Sequence, residues 1–280
     1  MALIGVPSIN AFMKCFTSWF SAATLCAFPA LSGGAFDDPV QAEVLAGWQR
    51  ADGTRMAALR LTLDPGWKTY WRAPGDAGIP PHFDWSRARN IEALKIHWPT
   101  PDIFVSNGLR SIGYADEVVI PFEIQPARDD QPVRLRAHMS LGVCAEVCVP
   151  HQLKFDALLD GTETRPTPAI AAALASVPYS AKEAEVSAST CLLRPTPDGI
   201  EIEAHVDLPH TGGTEVAVIE AGRADLWISE ADTKRQGNTV VAVSEMIQAQ
   251  GGAFSIDRSD VRITIIGANY AVDVIGCGAG

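Results

Sequence analysis

Two cysteines separated by three residues, Cys144 and Cys148, are the residues whose type and spacing most directly suggest chemistry. They lie between two segments in which apolar and polar residues alternate, residues 133–143 and 153–159, and this alternation is typical of β-strands. A hairpin with residues 145–147 at its tip would bring the two Cα atoms to about 5–6 Å, within disulfide range. Both cysteines continue the polar register, so we expect both side chains to point away from the core.

Three kinds of chemistry fit this pair. A disulfide in a short, exposed loop is easily reached by an attacking thiolate, as thiol–disulfide exchange requires, although Glu146 would oppose thiolate formation by its like charge. Sulfur together with His138 or His151 would suit Cu(I) or Zn(II), but the sequence offers no obvious fourth ligand. A purely structural bridge is the third interpretation, and the chain-entropy model gives only about 2 kcal/mol for so small a loop.

The first 35 residues have the pattern of a secretory signal peptide. Lys14 precedes an apolar run over residues 15–29, and small residues follow it up to Ala35. We expect cleavage after Ser32 or Ala35 and export of the rest. The run falls short of the about 20 residues that a membrane span needs, and no later segment is long and apolar enough to span a bilayer.

Composition excludes some classes of function. The net charge of the chain is −11, and loss of Lys14 with the leader makes it one unit more negative. An acidic chain of this kind is a poor nucleic-acid binder and needs no membrane surface. Nucleic acid is therefore not an expected partner.

Two further cysteines follow the redox candidates, Cys191 and Cys277, and an even number in an exported chain permits disulfides. They lie near the first and the last predicted strand of the second half, and terminal strands of one sandwich commonly run close together. We expect a structural disulfide between them, for which the chain-entropy model gives about 4.6 kcal/mol. Two unpaired thiols are the alternative.

Short strands separated by Gly, Pro, Asp and Asn predict an all-β protein, and the length suggests two β-sandwich domains in tandem. We place the first domain at residues 36–160, a linker with one or two helical turns (residues 169–175) at 161–180, and the second domain at 181–280. The predicted strands are residues 40–48, 55–63, 91–98, 118–124, 133–143 and 153–159 in the first domain, and 186–193, 200–208, 214–220, 225–229, 239–243, 261–266 and 270–275 in the second.

Several motifs together resemble one known family. They are residues 66–81 (GWKTYWRAPGDAGIPP), Trp98-Pro-Thr-Pro101 with Phe104 and Gly108, Gly113-Tyr114, and residues 142–150 (GVCAEVCVP). The family is the N-terminal periplasmic domain of the thiol:disulfide interchange protein DsbD and its relatives, including the ScsB type. The resemblance covers residues 38–160, and the C-terminal half is more weakly similar to the second β-domain of ScsB-type proteins.

The resemblance implies an immunoglobulin-like fold and a redox-active cysteine pair, matched here by Cys144 and Cys148. It also implies a cap that shields the pair, although the cysteines are closer in sequence than in the best-known members. Such a domain passes electrons from a membrane-embedded dithiol to thioredoxin-fold periplasmic proteins, with Cys148 joining the partner and Cys144 resolving. The residues expected in the cap are Tyr70, Trp71, Phe104, Asn107 and Gly108.

The sequence therefore predicts a stand-alone periplasmic thiol–disulfide relay. It would use no metal and no organic cofactor, and a separate membrane thiol transporter would be its electron donor. Two alternatives remain at this point: a periplasmic copper-binding or copper-tolerance protein, and a non-catalytic β-sandwich adaptor.

Overall fold

The computed structural model describes residues 38–76, 78–106, 108–161, 163–223 and 225–280. The predicted signal peptide therefore lies outside the described residues. Among the described residues, no helix has the length and apolar character that crossing a membrane requires.

The first half forms two antiparallel sheets that enclose a core. One sheet has the strand order β1-β2-β8-β5, and the other has the order β10-β9-β3-β7-β6 with β4 paired to β9. The strands are β1 (Val40–Gln49), β2 (Arg55–Leu63), β3 (Lys68–Tyr70), β4 (His82–Asp84), β5 (Ala93–Ile96), β6 (Asp102–Ser106), β7 (Leu109–Ala115), β8 (Glu117–Gln125), β9 (Val133–Cys144) and β10 (Cys148–Leu159).

The core of this sandwich follows from the two-residue period of its strands. In β9 the apolar side chains at the odd positions from Val133 to Leu141 are buried, while the side chains between them are more exposed. Aromatic rings fill the space between the sheets: Phe83 stacks on Trp85, and Phe122 meets both rings edge to face. This packing fixes the register of β9, and therefore the position of the cysteine that ends it.

The segment after β10 packs against the first sandwich. Helix α1 (Pro168–Ala175) begins with Pro168, a residue well suited to a first helical turn, and its Ile170 is fully buried. The hydroxyl of Thr167 donates to the carbonyl of Ala46, and Gly47 leaves room for Ile170, since a Cβ there would lie 3.1 Å from Cδ1.

The second half also forms two sheets, with strand orders β11-β19-β18-β14 and β15-β17-β13-β12-β20, and β16 pairs with β17. A disulfide joins the buried Cys191 of β12 to Cys277, with a Cα separation of 5.6 Å. The strands are β11 (Tyr179–Ser180), β12 (Ala188–Pro195), β13 (Ile200–Asp207), β14 (Val216–Glu220), β15 (Leu226–Ile228), β16 (Asp232–Gln236), β17 (Thr239–Gln248), β18 (Arg262–Ile266), β19 (Ala271–Ile275) and β20 (Gly278–Ala279).

The two sandwiches share apolar packing. Ile266 and Ala271 of the second sandwich are buried within the core cluster of the first, and Val218 packs against the same cluster. Residues 38–280 accordingly form one compact unit, and the domain boundaries drawn from the sequence remain a prediction.

The predicted fold class, all-β with two immunoglobulin-like sandwiches, is confirmed, and each predicted strand overlaps an observed one. The helical turns predicted at residues 169–175 are also present. Sequence reasoning missed several strands because they are too short for a clear alternation or lie in segments rich in Gly, Pro and aromatic residues. These strands are β3, β4, β6, β7, β11, β16 and β20.

Replacing Ile170 with alanine tests whether α1 is an integral part of the first sandwich. Loss of a fully buried isoleucine side chain should lower the free energy of unfolding by about 2–5 kcal/mol. Urea denaturation measures this change, and the exposed substitution Ala172→Ser is the control, expected within about 0.5 kcal/mol of wild type. A loss below about 1 kcal/mol for Ile170→Ala would mean that the helix is only loosely held.

Candidate functional site

The candidate site lies at the tip of the hairpin formed by β9 and β10. The two strands pair in continuous register from Val133 opposite Leu159 to Cys144 opposite Cys148. The amide of Ala145 donates to the carbonyl of Val147 and closes the tip. A disulfide joins the two cysteines, whose Cα atoms are 4.1 Å apart, closer than the sequence-based expectation.

The two sulfurs have different environments. Cys148 is exposed, whereas Cys144 is 0% exposed, so the expectation that both cysteines point into solvent is wrong for Cys144. The reason is the position of each strand: β10 is an edge strand, but β9 has β3 on its other side, with Lys68 paired to Cys144. One sulfur of the bridge is therefore accessible and the other is enclosed.

Tyr70, on β3, covers the enclosed sulfur. Its hydroxyl oxygen is 2.7 Å from the Sγ of Cys144 and 3.2 Å from the Sγ of Cys148. Burial raises the pKa of the Tyr70 phenol, so the group stays protonated at neutral pH. Because a disulfide sulfur carries no proton, the phenol is the donor in both contacts.

A glycine in β9 makes room for this ring. A Cβ on Gly142 would lie 2.9 Å from the Cε2 atom of Tyr70 and 2.8 Å from the Cβ of Ile79. Any other residue at position 142 would push the tyrosine away from the sulfurs. Glycine inside a strand often marks such a close approach, so this part of the site was open to prediction from the sequence.

The hairpin formed by β6 and β7, which we call the cap hairpin, contains the other residues predicted to shield the pair. The ring of Phe104 lies 5.0 Å from the ammonium group of Lys68, which also donates to the hydroxyl of Ser111 at 3.1 Å. Lys68 thus links the cap hairpin to the strand that flanks Cys144. Gly108 occupies the turn with a positive φ of 80°, a conformation that favours glycine, and Asn107 lies outside the described residues.

Trp71 does not belong to the cap. Its side chain is fully buried in the core cluster of the first sandwich, because neighbouring residues of a strand point to opposite faces and Tyr70 faces the sulfurs. The amide of Trp71 donates to the carbonyl of Ile112, which continues the ladder between β3 and β7. Its role is to anchor the segment that carries Tyr70.

The histidines near the pair do not gather around it. His138 is paired with Lys154, six residues along β9 from Cys144, and the Nε2 atom of His151 lies 3.9 Å from a carboxylate oxygen of Asp38. In the part of the chain that the structure describes, no three His, Cys, Asp or Glu side chains are grouped as metal ligands.

Comparison with known proteins shows which family the first sandwich resembles. Residues 38–160 match the family model described as "Thiol:disulfide interchange protein DsbD, N-terminal". The first sandwich is similar to the DsbD N-terminal domain over its whole length. The family predicted from the motifs is thereby confirmed.

The fold as a whole is similar to a solved structure. This is the crystal structure of the N-terminal periplasmic domain of ScsB from Proteus mirabilis, with a TM-score of 0.65 and 22% identity. The match covers 87% of this chain and 95% of that chain, so it extends over both sandwiches. Comparison with curated protein sequences gives no match.

The motifs that resemble the DsbD N-terminal domain contact one another in the fold. The hydroxyl of Tyr114 donates to the carbonyl of Pro99 at 2.8 Å, which ties two of the motifs together. Gly113 allows β7 to approach β3, because a Cβ there would collide with the carbonyl oxygen of Thr69. Lys68, which pairs with Cys144, and Ile79, which lies beside Gly142, are site residues that sequence reasoning did not single out.

Graded reduction should separate the two disulfides of this protein. Because Cys148 is exposed and Cys191 is buried, dithiothreitol at intermediate concentration should open the bridge at Cys144 before the bridge at Cys277. Alkylation followed by mass spectrometry measures the order, with the fully reduced, denatured protein as the control for complete labelling. Simultaneous opening, or earlier labelling of Cys191, would contradict this assignment.

Substitutions of Tyr70 should change the reactivity of Cys144 in opposite directions. In a Cys148→Ser background, Tyr70→Phe keeps the ring but removes the donor, so a smaller thiolate fraction should slow alkylation at pH 7 by about three-fold or more. Tyr70→Ala uncovers the sulfur and should speed alkylation.

Rates of iodoacetamide labelling as a function of pH provide the measurement. Tyr114→Phe is the matched control, because it removes another buried hydroxyl whose partner is a backbone carbonyl. An unchanged rate in Tyr70→Phe would mean that the phenol does not act on the sulfur.

Proposed function

We propose that this protein exchanges disulfides with thioredoxin-fold proteins through Cys144 and Cys148. The observation that carries the proposal is the asymmetry of the bridge, in which Cys148 is exposed and Cys144 is enclosed beneath Tyr70. Thiol–disulfide exchange needs one sulfur that the partner can reach and a second, resolving sulfur within bonding distance of the first. The family of the first sandwich supports the same reaction.

Cys148 is the residue that joins the partner. In the reduced protein, its thiolate attacks one sulfur of the partner's disulfide, and the other partner sulfur leaves as a thiolate. The thiolate of Cys144 then attacks the Sγ of Cys148, breaks the mixed disulfide and releases the second partner thiolate. Two electrons pass to the partner, the two thiol protons follow through solvent, and the bridge between Cys144 and Cys148 forms. Every step is reversible, so the same residues serve either direction of electron flow.

The surroundings of the sulfurs suit this sequence of steps. The phenol of Tyr70 reaches both sulfur atoms, so it can donate to the sulfur that carries negative charge at each stage. The enclosed Cys144 is inaccessible to large molecules but lies next to Cys148. A resolving cysteine needs this arrangement, because it must react only with the neighbouring sulfur.

Exposed apolar side chains beside Cys148 favour a protein as the partner. Val147 is 69% exposed and Val149 is 42% exposed, and both are neighbours of the reactive sulfur in sequence. Ile79, which contacts the region of Gly142, is also exposed. Apolar groups clustered around a reactive centre are typical of a protein-binding surface, whereas a small thiol would contact few of them.

The periplasm is the proposed location. The leader pattern indicates export, and two disulfides are typical of an oxidising compartment. The similar ScsB structure is described as a periplasmic domain. A separate membrane thiol transporter is the proposed electron donor.

Trapping experiments test the function and the assignment of the cysteines together. Cys144→Ser should accumulate a covalent complex with an oxidised periplasmic thioredoxin-fold protein, because the mixed disulfide at Cys148 then lacks its resolving thiol. Non-reducing electrophoresis detects the complex, and reductant should remove it.

Cys148→Ser should trap little, and the double serine variant should trap nothing. The reverse pattern would exchange the roles of the two cysteines. No complex from either single variant would count against the relay itself.

A further inference from the structure

An arginine that follows the Tyr70 strand reaches into the second sandwich. The Nε atom of Arg72 donates to Glu220 at 3.1 Å, and an Nη atom donates to the hydroxyl of Thr264 at 3.0 Å. Asp273 lies 3.5 Å from the same guanidinium, whose side chain is only 11% exposed. The second sandwich thus holds a nearly buried cation that belongs to the first.

The guanidinium of Arg72 also contacts the first sandwich. Its Cζ atom lies 3.8 Å from the centroid of the Trp71 ring, which is fully buried in the first core. Three consecutive residues therefore have three different anchors: Tyr70 contacts the sulfurs, Trp71 fills the core and Arg72 binds the second sandwich.

A second contact joins the second sandwich to the cap hairpin. Arg110, near the beginning of β7, lies with its Nε atom 3.5 Å from a carboxylate oxygen of Glu230. Gly75 is close to both, because a Cβ there would lie 3.0 Å from the carbonyl oxygen of Arg110 and 3.4 Å from the carboxylate of Glu230. The segment after β3, the cap hairpin and the second sandwich meet at this point.

The strand that carries Tyr70 is short, and Tyr70 is its last residue. Strand β3 has three residues, and it pairs with β9 only at Lys68 and Thr69. Tyr70 ends the strand and pairs with Gly113 of β7. Whatever holds the residues immediately after Tyr70 therefore helps to hold the phenol over the sulfurs.

We propose that the second sandwich positions the redox site: by binding Arg72 and Arg110 it holds Tyr70 over Cys144 and fixes the cap hairpin beside β3. Arg72 is a positioning residue in this arrangement, since it acts through Tyr70 and touches neither sulfur. The proposal rests on the function proposed above, because it assigns a role to a sandwich that carries no part of the reactive pair.

The test measures alkylation of Cys144 by iodoacetamide in a Cys148→Ser background, so that one thiol of the pair is read. Arg72→Met with Glu220→Gln removes the pair as a unit, while Asp273 keeps Arg262 at 2.9 Å as its partner. The rate should rise three-fold or more. The same substitutions combined with Tyr70→Ala should give no further increase, because the ring through which they act is already absent.

A buried pair inside the second sandwich provides the matched control. Arg235 and Glu215 have side chains that are 17% and 4% exposed and lie within that sandwich. Arg235→Met with Glu215→Gln should lower the thermal stability but leave the alkylation rate unchanged. Circular dichroism checks that each variant is folded.

An unchanged rate in the folded Arg72 variant would overturn the proposal, as would an equal rise in the control or a full additional rise on top of Tyr70→Ala. If the double substitution does not fold, Arg72→Lys replaces it, since lysine keeps the charge but loses the forked donor. That variant should still raise the rate, and an unchanged rate would again overturn the proposal. The alkylation assay uses no partner protein, so it gives its answer even if the trapping experiments fail.

Discussion

The insertion of β3 between β9 and β7 is the constraint on which the site depends. The pairing of β3 with β9 at Lys68 and Thr69 gives the end of β9 a neighbour on its second side and encloses the sulfur there. The same pairing brings the phenol of Tyr70 within hydrogen-bonding distance of both sulfurs. The glycines at positions 113 and 142 permit this approach, because a side chain at either would collide with β3 or its tyrosine.

The difference between the two cysteines is a property of the sheet and not of the hairpin. In an isolated hairpin both residues of a terminal pair would be equally open to solvent. Here β10 is an edge strand that leaves Cys148 exposed, while β9 is covered on its other side. This difference in exposure favours thiol–disulfide exchange, because a sulfur that a partner protein cannot reach reacts only with the other cysteine of its own chain.

Local patterns in the sequence were sufficient to predict the hairpin, the two sandwiches and the disulfide-forming cysteines. The alternation over residues 133–159 specifies the register, and the register sets Cys144 opposite Cys148. The burial of Cys144 could not be predicted in this way, because it depends on a three-residue strand that is distant in sequence. Trp71 was assigned to the cap for a related reason: aromatic composition does not reveal which of two adjacent rings enters the core.

The close packing of the two sandwiches is reflected in the sequence of one strand of the second sandwich. A simple alternation of buried and exposed residues does not describe that strand. Strand β18 reads Arg262-Ile-Thr-Ile-Ile266, and four of its five residues are buried, which is unusual for a strand with one face toward solvent. Its isoleucines at positions 263 and 265 face their own core, so the burial of Thr264 and Ile266 requires a cover on the other face. That cover is the first sandwich, where Arg72 donates to Thr264. The second sandwich is therefore packed on both sides of this sheet, and its outer face combines apolar residues with the polar and charged groups that bind Arg72.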